Sequence, residues 1–172
     1  MSKLLIVLII GVVGTLLIIA LGVYITITNG WIPAAMDTPP LPMEKWAAGH
    51  DLSAVLNREA KDQSTVAADE PTLLAGEKVY ASNCSGCHGT PSSPTPSFGA
   101  GFGPLPTPFA KHPVTDDGEA ETYWKIKHGI KFTGMPTFKD MLSEKEMWQV
   151  TQFLKHMDKL PPTVQKLWDA AK

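Results

Sequence analysis

Cys84, Cys87 and His88 are the residues whose types and spacing suit them to act together on one cofactor. In Cys84-Ser85-Gly86-Cys87-His88 two thiols can reach two vinyl groups on one edge of a porphyrin, and the next residue presents imidazole to the iron. This is the attachment pattern of c-type haem. A redox dithiol needs only Cys-x-x-Cys and a βαβ setting; no strand pattern surrounds residue 84, and His88 would be left without a role. A structural zinc site wants four Cys or His ligands in paired spacing, and the chain has two cysteines in all.

Whether a second ligand closes the iron decides between an electron carrier and an open, reactive centre. Met135 stands between Gly134 and Pro136 in a stretch expected to join two helices, so its thioether can be aimed rigidly. His112, beside Pro113, and His128, at a helix end, are the alternatives. Met141, Met147 and Met157 fall at helical or helix-entry positions and read as core fillers.

These residues sit in a wider pattern. Gly76-Glu77-Lys78-Val79-Tyr80 leads into Cys84 to Gly89; Gly134-Met135-Pro136 follows, and then a helix with Trp148 and Phe153. Together they resemble a class I (mitochondrial-type) single-haem cytochrome c over roughly residues 70–160. The resemblance implies an all-α domain around one covalently attached haem c, with Cys84 and Cys87 as thioethers and His88 and Met135 as iron ligands. It also implies a Pro carbonyl that accepts the proximal imidazole N–H, with Pro104 and Pro106 as candidates. The first and last helices should cross at Gly76 against an aromatic. A chain of this kind is an electron carrier and not an enzyme, serving protein redox partners such as other subunits of a membrane complex in a respiratory or photosynthetic chain. The alternative is a haem peroxidase or gas sensor with a displaceable distal ligand.

The elements that must position the site are legible to different degrees. Asp69, Glu70 and Pro71 read as a helix start, with Leu73, Leu74, Val79 and Tyr80 as its apolar face. Residues 91–113 carry seven prolines with Gly99, Gly101 and Gly103 among them, which bars helix or ladder and predicts a loop. Phe98, Phe102, Leu105 and Phe109 are the expected pocket wall. A helix from Asp116 and Glu119 ends at His128-Gly129. Another begins at the capping box Ser143–Glu146 and runs through Met147, Val150, Phe153 and Leu154.

Upstream, residues 4–27 are 24 positions without a charge. As a helix they span about 36 Å, enough to cross a hydrocarbon core about 30 Å thick. A signal peptide has a shorter apolar region and a small-residue cleavage site, and none follows Ile27. We therefore expect a retained single-pass anchor over residues 1–30. Lys3 precedes the span and no Lys or Arg follows until Lys45, which predicts a cytoplasmic N-terminus; the resemblance implies that the haem domain then lies on the outer side, and a bacterial inner membrane with a periplasmic domain is the expected setting. Residues 31–70, rich in Pro and Ala, are expected to be a linker with one short helix near residues 46–61. Residues 71–160 are expected to form the haem domain, and residues 161–172 a short amphipathic tail through Leu167 and Trp168. The net charge of −2 argues against a nucleic-acid partner, and nothing in the chain points to a small-molecule substrate.

Overall fold

The computed structural model describes residues 2–171. They are all-α, with no strand among the described residues, and divide into two compact units, Met1–Pro40 and Leu41–Lys172. The first unit is dominated by α1 (Lys3–Thr28), capped by the Ser2 hydroxyl, which accepts from the Leu5 N–H. By length and composition α1 could cross a membrane. Its hydroxyls fit that setting: Thr15, Thr26 and Thr28 donate to the carbonyls of Gly11, Gly22 and Tyr24 at 2.9, 2.9 and 2.8 Å. In hydrocarbon each would otherwise lack a partner.

The second unit begins earlier than the expected boundary at residue 71. Helix α2 (Pro42–Glu59) belongs to it and packs on α5 (Glu119–His128). Burial of Leu56, the Lys127–Asp62 ion pair at 3.0 Å and the Gln152 amide donating to Ser64 Oγ at 3.1 Å fasten residues 56–64 to the domain. The linker was expected to run to residue 70 because its composition is Pro-, Ala- and charge-rich; a few long-range contacts override that composition. Arg58 pairs with its neighbour Glu59 and is 70% exposed, so it is a solvated surface residue.

The core is built on α3 (Glu70–Asn83) and α6 (Glu144–Lys155), the most extensively packed helix pair. Asp69 caps α3 by accepting from the Thr72 N–H, and Ser143 with Glu146 forms the capping box of α6. The helices cross where Gly76 has no side chain: a Cβ there would lie 2.1 Å from the Gln149 carbonyl oxygen and 2.8 Å from Phe153 Cβ. The expected crossing of glycine against an aromatic is present.

Around that crossing Tyr80, Tyr123, Trp148, Val150 and Phe153 are almost wholly buried. Each such side chain contributes about 1.5–3 kcal/mol by leaving water. The Tyr123 and Trp148 rings stack at 3.9 Å. The segment expected to be a tail forms α7 (Pro162–Ala170), which buries Val164 and Trp168. Trp168 meets Tyr80 edge-on at 5.3 Å and Phe153 at 5.6 Å. Val164 and Trp168, four residues apart, share one helical face, and that face completes the core.

Candidate haem site

The C-cap of α3 is Cys84, and the short helix α4 (Ser85–His88) follows directly, so one turn carries both thiols and the imidazole. Both cysteines are free, not joined as a disulfide. Burial, with the neighbouring Cys87, pushes the Cys84 thiol up to about 12. The turn is braced from below by Tyr80, whose buried hydroxyl donates to the Gly89 carbonyl at 2.6 Å. Gly89 itself is left-handed, φ +79°, and a Cβ on it would lie 2.6 Å from the Pro94 carbonyl oxygen. The chain can turn sharply out of the motif there because the residue is glycine.

His88 Nδ1 lies 2.8 Å from the Thr107 carbonyl oxygen. A carbonyl can only accept, so Nδ1 carries the proton and Nε2 keeps its lone pair. Burial lowers the His88 pKa, opposed by the Thr107 carbonyl, and the net shift is downward. The ring is therefore mainly neutral at pH 7. Phe109 stacks on it, centroids 4.2 Å apart and planes 5° from parallel.

Thr107 corrects the expectation for Pro104 and Pro106. The Phe109 N–H donates to the His88 carbonyl at 3.1 Å, which fixes the register of the loop against α4. That register delivers the carbonyl two residues before Phe109, and Pro106 and Pro104 fall one and three residues too early. Sequence reasoning found the right loop but had no signal for the register. The nearest hint was Pro108, since a residue before proline favours extended backbone.

Met135 is half-buried and packs against the same core cluster as Cys84 and Phe109. Its backbone is held on both sides. The Met135 N–H donates to Thr133 Oγ1 at 3.1 Å, the Thr133 hydroxyl donates to the Ile130 carbonyl at 2.7 Å, and the Ile130 N–H donates to the Met135 carbonyl at 3.2 Å. Gly129, φ +69°, lets α5 end directly under this loop, where a Cβ would lie 2.6 Å from Pro136 C and 2.8 Å from the Met135 carbonyl oxygen.

Of the expected pocket wall, Phe109 reaches His88 and Phe102 reaches Gly134, whereas Phe98 and Leu105 are 67% and 69% exposed. His112 and His128 lie on the exposed surface. Lys125 and Lys127 are engaged by Asp117 and Asp62.

The donor set fits an iron porphyrin. Two unpaired thiols and a neutral imidazole protonated at Nδ1 share one turn, an aromatic ring lies flat on the imidazole, and Met135, its backbone fixed by hydrogen bonds, packs on the same core. Among the described residues no group of three or more His, Cys, Asp or Glu side chains could hold a bare metal ion.

Residues 71–154 match a family model described as cytochrome C oxidase, cbb3-type, subunit III. No curated protein and no solved structure matches the chain. The matched segment runs from the first turn of α3 through α6 and includes Cys84, Cys87, His88 and Met135. Together with the all-helical fold it supports a c-type cytochrome, with haem c as the implied cofactor and electron transfer as the implied role.

Proposed function

We propose that the protein is a membrane-tethered c-type cytochrome. On this reading one haem is bound through thioethers to Cys84 and Cys87, ligated by His88 and Met135, and passes single electrons between protein partners on the outer face of the membrane. The observation that carries the reading is the His88–Thr107 hydrogen bond at 2.8 Å. It fixes the tautomer, leaves the unprotonated Nε2 on the ring edge opposite Thr107 and raises the basicity of the imidazole. The haem would supply a one-electron couple whose potential depends on its axial ligands and on the polarity around it.

The chain's own part is positional. Cys84 at the junction of α3 and α4, with Cys87 and His88 on α4, would offer three attachment atoms from one turn and so set the orientation of the bound group. Thr107 and Phe109 prevent the imidazole from rotating. The loop from Ile130 to Met135 is closed by three hydrogen bonds that fix the backbone of Met135, from which the thioether would reach the iron. A ligand pair kept in both oxidation states leaves little to reorganise, which suits a carrier better than a catalyst. The class I resemblance is the finer assignment that a Met ligand supports.

The apolar helix α1 would anchor the protein, with the N-terminus cytoplasmic by the Lys3 bias and the domain periplasmic. The family description names a terminal-oxidase subunit, which favours other subunits of a membrane redox complex as partners.

The test is the mature protein itself. Its mass should exceed the polypeptide by one haem, resistant to acid-acetone extraction. The ferric form should show the weak far-red band of thioether-to-iron ligation, and Met135→Ala should abolish that band. A purified protein that binds carbon monoxide rapidly at neutral pH and lacks the band has an open distal site, and would be the peroxidase or sensor instead.

A further inference from the structure

The loop after the haem motif touches both sides of the site. Gly99 lies against α4: a Cβ there would be 2.4 Å from the Cys87 carbonyl oxygen and 3.2 Å from Cys87 Cα. A single 3-10 turn (Gly99–Gly101) carries the chain from that contact to Phe102, whose N–H donates to the Gly99 carbonyl at 3.2 Å. The Phe102 ring then rests on Gly134: a Cβ on Gly134 would lie 2.4 Å from Cδ1 and 2.7 Å from Cε1. Phe98 supports the ring edge-on, centroids 5.2 Å apart at 88°. An unbroken series of contacts thus runs from Cys87 through Gly99 and Phe102 to the residue before Met135.

From this series we infer that the turn at residues 98–102 is a strut setting the distance between α4 and the methionine loop, with Phe102 as the residue that positions Met135. The hydrogen bonds at Ile130 and Thr133 close the methionine loop on itself just beyond α5, and none of them reaches α4. Phe102 supplies that link, and it does so against a residue with no side chain, where the ring approaches the backbone itself. A ring bearing on backbone resists displacement better than one bearing on a rotatable side chain. The inference rests on Met135 being the axial ligand.

The experiment uses the full chain with haem attached and titrates the ferric form with imidazole, which competes with Met135 for the iron. Loss of the strut raises the population in which Met135 is detached, and apparent imidazole affinity rises in proportion. Phe102→Ala should increase that affinity about tenfold and weaken the far-red band. Gly134→Ala, whose methyl displaces the ring, should do the same. The double variant should be no worse than Phe102→Ala alone, because the methyl then enters the space the ring has left. If Phe102→Ala does not accumulate, Phe102→Leu and Gly134→Ala carry the same comparison.

Unchanged imidazole affinity in the Phe102 variant overturns the strut, as do single-variant effects that multiply in the double variant. A wild-type protein with no far-red band overturns the Met135 ligation on which the strut depends, so the two failures are distinguishable.

Discussion

His88 donates from Nδ1 to the Thr107 carbonyl across 19 positions of chain, at 2.8 Å. The acceptor is backbone, so no substitution at Thr107 deletes it. What can be altered is the ring that holds the imidazole flat beneath it.

Phe109 stacks on His88 and also lies 6.2 Å from the Tyr80 ring. Phe109→Ala should lower stability by about 2 kcal/mol, below the range for a fully buried Phe because Phe109 is half-buried. Guanidinium unfolding of the haem-loaded protein measures this. A change under about 0.5 kcal/mol, the range of ordinary surface substitutions, would mean that the stack is ornamental.

Gly76→Ala puts a methyl 2.1 Å from the Gln149 carbonyl oxygen. Backbone cannot swing aside, so α3 and α6 must separate. We expect a loss of about 3 kcal/mol, the upper part of the range for overpacking, read as a fall in thermal midpoint. Wild-type stability in this variant would show that the helices do not cross there.

Glu77 is 3% exposed and has no ion pair among the described residues. Burial raises its pKa, with Lys78 opposing. A carboxyl whose folded pKa lies above its unfolded value of 4.5 binds its proton more tightly when folded. Its contribution is full below pH 4.5 and is lost as pH rises through the folded pKa. Glu77→Gln should therefore be more stable than wild type at pH 7 and should flatten the decline of stability above pH 4.5. Urea unfolding from pH 4 to 8 measures both, and an identical pH profile in the two proteins would refute the assignment.

Trp168 lies outside the matched segment, yet it contacts Tyr80 and Phe153 in the centre of the core. Trp168→Ala should cost about 3–5 kcal/mol, a loss that a dispensable tail would not show. Differential scanning calorimetry of the haem-loaded protein decides it.

Thr122 Oγ1 is buried with no hydrogen-bond partner among the described residues. Thr122→Val keeps the shape and removes the orphaned hydroxyl, so stability should be unchanged or rise by up to about 1 kcal/mol. A loss above 1 kcal/mol would reveal an unrecognised hydrogen bond.

What the sequence determined was local. The Cys84 to His88 motif lies within one helical turn, the Asp69 and Ser143 caps act over three residues, and α1 is read from an uninterrupted apolar run. Each needs only the short-range geometry of the backbone. Tertiary structure decided everything that joins positions far apart in the chain: Thr107 and not Pro104 or Pro106 at His88, Gly99 against Cys87, Phe102 on Gly134, α2 on α5, and α7 as part of the core. Composition marked residues 31–70 as linker because it records average polarity, and the amphipathic pattern through Leu167 and Trp168 did not show which surface that segment would meet. Burial of Leu56, Val164 and Trp168 depends on which distant surfaces meet, and a proline-rich loop has no periodicity from which its register could be read.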